Sequence, residues 1–386
     1  MNYRKDKYGN ELSALGFGCM RFQKKLGRIE LEKAEKQILT AIENGVNYFD
    51  TAFIYPGSES ALGEILQKNN LRDKVYIATK LPPQMMINVA TLDKLLGEQL
   101  KRLRTDRIDY FFFHMLASMD AWIRLENLGI KKWIEEKKTS GVIGQVGFSY
   151  HGNTNGYCKM IDAYDWDFSM IQYNYMDEHT QAGRRGLEYA HGKGITVMIM
   201  EPLRGGKLVN DLPEEAKQIF AAHPKKYTPA QWAFRWLWNQ PEISVVLSGM
   251  NSEEMVLDNI HTACDAKIGD LTKDDEEMLR QVGKAINAKM KVGCTGCGYC
   301  MPCTQNIDIR SLFGIYNTFY SGKKGKAKRE YIKATLTKKS SAPASACTGC
   351  GKCEKHCPQS IEIRNEIKAV GETLEGELYS ILKKHK

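Results

Sequence analysis

A chain of 386 residues, 42% hydrophobic and 26% charged, is a globular protein with room for two domains or for one large barrel and an appendage. Its longest apolar runs, such as Tyr110 to Phe113 and Ile195 to Met200, are strand-length, which excludes a membrane-spanning helix; Arg4, Lys5, Asp6 and Lys7 break the start where a secretory leader needs an apolar stretch, so a cytoplasmic protein is expected. A net charge of +9 admits a nucleic-acid partner, yet much of the excess sits in one stretch, Lys323, Lys324, Lys326, Lys328, Arg329, Lys333, Lys338 and Lys339, and reads as solvated surface.

The start, Met1–Leu12 with its Tyr8-Gly9-Asn10 turn, predicts a short hairpin. Eight runs then read as strands: Leu15–Gly18, Val46–Asp50, Val75–Lys80, Arg107–His114, Ile143–Ser149, Asp167–Asn174, Ile195–Met200 and Ile243–Gly249. They are short, rich in β-branched or aromatic residues and mostly apolar on both faces, as parallel strands buried on both sides should be. Helical periodicity fills the gaps. Ala34, Ile38, Ala41 and Ile42 fall at i, i+4, i+7 and i+8 and stop at Asn44-Gly45, while Leu62, Ile65 and Leu66 mark a second helix and Leu92, Leu95, Leu96 and Leu103 a third. Eight βα units within about 250 residues have the size and rhythm of an α/β fold, a (β/α)8 TIM barrel. The barrel is assigned to residues 1–265. A polar stretch, Asp265–Asp275, and a helix near Asp274–Met290 make residues 266–290 a linker. Residues 291–386 then form a small second domain, with helical segments near Ile309–Tyr320 and Glu362–Lys386.

Eleven cysteines in a cytoplasmic chain argue for metal or redox chemistry rather than disulfides. Cys19, Cys158 and Cys264 are scattered and read as small buried hydrophobes. The other eight form two runs, Cys294-Thr-Gly-Cys297-Gly-Tyr-Cys300-Met-Pro-Cys303 and Cys347-Thr-Gly-Cys350-Gly-Lys-Cys353-Glu-Lys-His-Cys357-Pro358. Cysteines at three-residue spacing wrap the chain around a cubane, and Gly296, Gly298, Gly349 and Gly351 leave room for its sulfides. Paired zinc sites use two C-x2-C pairs separated by a loop instead of one tight run. The second run closely resembles that of bacterial ferredoxins; the first has one residue fewer before Cys303 and Thr304 in place of proline. The resemblance implies an α+β or helical ferredoxin-like domain with two [4Fe–4S] clusters, the fourth cysteine of each run serving the other cluster. One cluster then takes Cys294, Cys297, Cys300 and Cys357, and the other Cys347, Cys350, Cys353 and Cys303. Two such clusters add a formal charge of about −4 and offset part of the basic excess. No nucleic-acid or membrane partner is expected; the basic stretch reads first as solvated surface beside anionic clusters, with a docking patch for an acidic electron-transfer protein as the intermediate reading.

The segment Asn47-Tyr-Phe-Asp50-Thr-Ala-Phe-Ile-Tyr55, with Gly57-Ser58-Glu59 and Leu62-Gly63, resembles the aldo-keto reductase signature. Ala78-Thr79-Lys80 ends the third strand and Phe113-His114 the fourth, so the resemblance implies a catalytic tetrad of Asp50, Tyr55, Lys80 and His114. The chemistry is sensible in its own right. All four stand at C-terminal strand ends, where barrel active sites are built. A tyrosine of ordinary pKa, about 10, is poorly matched to neutral pH, and a nearby ammonium lowers it. Lys80 can thus tune Tyr55 as general acid, Asp50 can fix Lys80, and His114 can orient the substrate oxygen.

The same resemblance implies nucleotide contacts. Gly18, Cys19 and Met20 approach the nicotinamide ribose, and Ser149 and Gln172 bind the carboxamide; many relatives follow that serine with asparagine, where this chain has Tyr150-His151. Pro202, Leu203, Gly205 and Lys207 run over the pyrophosphate, and Ser248, Gly249, Asn251, Glu254 and Asn259 hold the adenosine end. NADP is favoured over NAD, although Met250, Asn251 and Ser252 supply no cation for a 2′-phosphate.

Together the halves resemble a ferredoxin-fused branch of the aldo-keto reductases and imply an oxidoreductase that reduces a small carbonyl compound, with clusters in a structural or electron-transfer role. Hydride carries two electrons and a cluster one, so a second reading stands beside it. That reading is a ferredoxin-type electron-transfer protein whose barrel is a docking or redox-sensing scaffold for a redox partner; a flavin would bridge one- and two-electron steps there, although the sequence carries no flavin motif.

Overall fold

The computed structural model describes residues 1–296, 298–338, 340–357 and 359–384. Cys297, a predicted cluster ligand, and Lys339 and Pro358 lie outside the described residues.

All eight predicted runs are barrel strands: β1 (Leu15–Gly18), β2 (Tyr48–Asp50), β3 (Tyr76–Leu81), β4 (Ile108–Phe113), β5 (Ile143–Tyr150), β6 (Phe168–Gln172), β7 (Thr196–Met200) and β8 (Ile243–Ser248). They pair in parallel in chain order and close, β8 against β1 in the register Val246↔Leu15 to Ser248↔Phe17. Closure leaves no free edge, which suits strands too apolar to face water on either side. Several predicted runs extend a residue or two past the strand, as at Tyr173-Asn174 beyond Gln172.

The chain divides into two compact units, one of Met1–Pro202 with Ala230–Thr272 and one of Leu203–Pro229 with the residues from Lys273 onward. In the first unit, Tyr48, Tyr110, Phe112, Phe168, Met170, Met198 and Val245 fill the barrel interior. The hairpin of Tyr3–Lys5 and Glu11–Ser13 adds Leu12 to that core. Asp6, in its turn, accepts hydrogen bonds from Tyr110 (2.6 Å), from Asn10 (2.9 Å) and from Gln145. Burial pushes the Asp6 carboxyl up, but these bonds outweigh it and hold the carboxyl below its ordinary value. Outside the barrel, Trp122, Trp166, Phe113 and Phe148 interlock at tilted and edge-on angles.

The second unit is helical. Helices Ile309–Tyr320, Lys324–Ile332 and Ile363–Leu374 build its core from Leu312, Phe313, Tyr316, Tyr331, Ile367 and Val370. The predicted single tail helix is two, Ile363–Leu374 and Glu377–Lys384. It breaks at Glu375-Gly376, where Glu375 accepts hydrogen bonds from Tyr331 (2.5 Å) and the Ser345 N–H (2.9 Å). Among the described residues no helix is long and apolar enough to cross a membrane.

Candidate active site and cysteine cavities

Parallel closure puts every strand's C-terminal end on one rim, and that rim gathers Asp50, Tyr55, Lys80 and His114. Lys80 Nζ donates to Asp50 Oδ1 at 2.5 Å and to the Thr51 carbonyl at 2.8 Å, with Lys80 only 2% exposed. The same ammonium lies 5.4 Å from the centre of the Tyr55 ring. Tyr55 and His114 meet edge-on, ring centres 5.9 Å apart. Complete burial raises the Asp50 carboxyl above its ordinary value, with Lys80 pulling the other way. Burial, then the charges of Lys80 and His151, push His114 well below its ordinary value, so the imidazole is neutral at physiological pH. Its Nδ1 is buried and has no hydrogen-bond partner among the described residues. The group therefore offers a cation to a phenol and a neutral ring to an incoming oxygen.

What holds Tyr55's loop has no local signature in the sequence. Glu59, 2% exposed in helix Ser58–Lys68, accepts from Thr79 Oγ1 (2.6 Å), Gln99 Nε2 (2.9 Å) and Arg102 Nη1 (3.2 Å). Gln99 also reaches the Lys80 carbonyl (3.3 Å), and Arg102 the Phe53 carbonyl (3.3 Å), its guanidinium 4.2 Å from the Phe53 ring. Thr51 Oγ1 bonds Ser58 Oγ (2.8 Å), which donates to the Cys19 carbonyl (3.0 Å). The loop is thereby tied to β1 and β3 and to helix Val89–Leu103. A glutamate in the first turn of a helix reads as solvated in sequence; the one available signal was the small Gly63 on the same helix. A Cβ there would lie 2.4 Å from the Leu103 carbonyl carbon, so the two helices touch backbone to backbone.

Of the expected nucleotide contacts, those at the adenosine end meet the turn after β1. Asn259 donates to Ser248 Oγ (3.0 Å), Gln23 Nε2 to the Asn251 carbonyl (2.5 Å), and a Cβ on Gly18 would stand 3.2 Å from the Ser248 carbonyl. Arg21 packs against Gly249, where a Cβ would come within 2.5 Å of Arg21 Cγ. Glu254 stands in the first turn of helix Glu253–Asp265, Cys19 is buried and Met20 is half exposed. Ser149 Oγ accepts from the Met115 N–H (2.8 Å); Gln172 donates to Asp177 (3.0 Å) and accepts from Gln181. Gln181 also contacts His151 Nδ1 at 3.2 Å. Pro202 ends the first unit's main segment, whereas Leu203, Gly205 and Lys207 belong to the second. There Lys207 Nζ donates to the Cys294 carbonyl at 2.7 Å.

Two cysteine-lined cavities lie in the second unit. Cys294, Cys300 and Cys357 line one; Cys303, Cys347, Cys350 and Cys353 line the other. Ile309 and Ile363 line both. Gly296, Gly298, Gly349 and Gly351 all have positive φ, between 70° and 88°, a curl that an L side chain would strain. The Gly296 N–H points at Cys294 Sγ, 3.4 Å away. The internal repeat runs beyond the cysteines: Cys303-Thr-Gln-Asn-Ile-Asp-Ile-Arg310 matches Cys357-Pro-Gln-Ser-Ile-Glu-Ile-Arg364. Arg310 and Arg364 stand equivalently beside Gly298 and Gly351.

Comparison with known proteins covers both halves. A model described as "Aldo/keto reductase family" matches residues 14–283, and one described as "4Fe-4S dicluster domain" matches residues 293–362. An aldo-keto reductase of Mycolicibacterium vanbaalenii is 26% identical over 261 residues, 65% of this chain and 82% of its own. The methylglyoxal reductase DkgB of Salmonella typhimurium is 30% identical over 222 residues, 56% of this chain and 78% of its own. Among solved structures, the holo form of aldo-keto reductase AKR11C1 from Bacillus halodurans has a TM-score of 0.61 at 24% identity, covering 74% of this chain and 97% of its own. An aldo-keto reductase from Klebsiella pneumoniae in complex with NADPH has a TM-score of 0.60 at 19% identity, covering 73% and 95%. At those identities the structures show the shared barrel fold.

Proposed function

Because the chain belongs to the aldo/keto reductase family and ends in a 4Fe–4S dicluster domain, we propose that it reduces a small carbonyl compound with NADPH and carries two [4Fe–4S] clusters. It is an oxidoreductase, and the observation that carries the finer reading is the meeting of Asp50, Lys80, Tyr55 and His114 at one rim. Bound nicotinamide would supply the hydride. The chain supplies the rest. Neutral His114 donates a ring N–H to the carbonyl oxygen, and Tyr55 gives its hydroxyl proton to the alkoxide that develops there. Lys80 stabilises the phenolate left behind, and Asp50 keeps that buried ammonium compensated. NADP is supported by the NADPH bound to the Klebsiella protein and by Arg21, whose side chain against Gly249 brings a cation to the segment where residues 250–252 have none. The lining of the cavities supports the crossed division of ligands, with Cys357 beside the first run and Cys303 beside the second.

Mixing the purified protein with NADPH or NADH and a panel of aldehydes that includes methylglyoxal tests the reductase reading. Turnover should fall at least about a hundredfold in Tyr55→Phe, while quenching of tryptophan fluorescence by NADPH survives. Neither turnover nor quenching in the unaltered protein would sink it. Unchanged turnover in Tyr55→Phe would remove Tyr55 as the proton donor.

A further inference from the structure

The chain's charge is divided unevenly. Residues 1–290 carry 38 Lys and Arg against 38 Asp and Glu; residues 291–386 carry 17 against 8, so the whole excess of nine lies in the cysteine-bearing part. The two cysteine loops also differ in exposure. Cys347, Thr348, Gly349 and Cys350 are all exposed, whereas every described residue from Cys294 to Met301 is half-buried or buried. The loop of the second run is the more exposed of the two.

Basic residues occur in that loop and in a segment that packs next to the strip following Cys303. Lys352 and Lys355 lie within the second loop and are exposed. The segment that follows helix Lys324–Ile332, with exposed Lys333 and Lys338, folds onto the strip leading away from Cys303: the Ala342 N–H bonds the Asn306 carbonyl (2.8 Å) and the Asp308 N–H bonds Ser341 Oγ (2.9 Å). In turn Thr304 Oγ1 is 3.9 Å from Cys350 Sγ. None of these four lysines has a carboxylate within ion-pair distance among the described residues. A cluster of formal charge about −2 offsets part of these four ammonium charges, and the remainder is complemented by a partner that brings carboxylates.

We propose that this face, centred on the second cavity and edged by Lys333, Lys338, Lys352 and Lys355, docks a small acidic one-electron carrier protein. The inference rests on the reading of that cavity as a [4Fe–4S] site. In the docked pair one electron passes between the carrier's centre and the cluster, reducing one and oxidising the other, and no proton or bond is exchanged. Transient redox pairs use small, charge-steered interfaces, so no large apolar surface is needed. Nucleic acid would match the charge but gains nothing from exposed thiolates.

The test uses the full-length protein loaded with clusters and a strongly acidic plant-type [2Fe–2S] ferredoxin as probe, with affinity measured at low and at physiological ionic strength. Binding should weaken steeply with salt. Lys333→Glu/Lys338→Glu and Lys352→Glu/Lys355→Glu should each weaken it roughly tenfold at low salt, with iron content and NADPH-linked turnover unchanged. No binding at low salt by a protein with full iron content would overturn docking and leave the cluster reading intact. An unaltered protein without iron and acid-labile sulfide would sink the cluster reading instead. Equal binding of an equally acidic protein without a redox centre would overturn the proposal, as would tighter binding of a DNA duplex or of phosphatidylserine vesicles.

Discussion

Replacing Lys80 by methionine removes the ammonium at the centre of the rim and leaves Asp50 buried without its counter-charge. In the variant the folded carboxyl either stays charged, at about 3–5 kcal/mol for an unpaired buried ion, or takes up a proton. Protonating a group whose unfolded pKa is about 3.9 costs about 1.4 kcal/mol for each pH unit above that value, so about 4 kcal/mol at neutral pH. The folded-state pKa of Asp50 is thereby raised, and the variant is least impaired below the unfolded pKa and most impaired as pH rises. Because burial already raises Asp50 in the unaltered protein, the penalty relative to it should be at most about 4 kcal/mol near pH 7, at most about 1.5 near pH 5 and close to zero near pH 4. Urea unfolding followed by tryptophan fluorescence reads the barrel alone, because all six tryptophans lie between residues 122 and 238 and within the first unit. Lys80→Met/Asp50→Leu, which replaces both charges, should recover most of the loss. A penalty as large near pH 5 as near pH 7, or a double variant no better than the single one, would refute the electrostatic account.

His151 titrates with the opposite sign. Burial pulls it down to about 4 from an ordinary value of about 6.5, so its contribution is full above 6.5 and is lost as pH falls towards 4. Acidification to about pH 4.5 should cost the barrel about 2–3 kcal/mol through this group, and His151→Gln should flatten that part of the pH–stability curve. Gly63→Ala places a Cβ 2.4 Å from the Leu103 carbonyl carbon and 2.5 Å from the Arg102 oxygen, backbone atoms that yield only if a helix shifts. A loss of about 1–3 kcal/mol is expected in the same urea titration, and an unaltered midpoint would show that the helices slide freely. Iron counts test the crossed ligands. Cys303→Ala/Cys347→Ala removes two ligands of one cavity and should leave about four irons per chain, whereas Cys294→Ala/Cys303→Ala strikes both cavities and should leave almost none. The reverse pattern would assign each fourth cysteine to its own run.

Much of this protein is local in its sequence. Each barrel strand is a short apolar run bounded by polar turns, so eight strands and their order could be read residue by residue, and parallel topology then puts Asp50, Lys80 and His114 at strand ends on a common rim. The cysteine runs are equally local, since three thiolates at three-residue spacing need nothing beyond their own loop. What tertiary structure alone decided involves groups far apart in the chain. Glu59 becomes the anchor of the Tyr55 loop only when closure brings Thr79, Gln99 and Arg102 to it, 20 to 43 positions away. Asp6 takes its place beneath the barrel through Tyr110 and Gln145, more than 100 residues downstream. Arg21 reaches Gly249 because β8 and β1 are neighbours in the closed sheet, and the segment from Leu203 to Pro229 joins the helical unit although it leaves from a barrel strand. A strand or a cysteine loop is specified by period and spacing along the chain. A buried carboxylate's partners are specified by where closure sends three separate elements, and no local pattern encodes that.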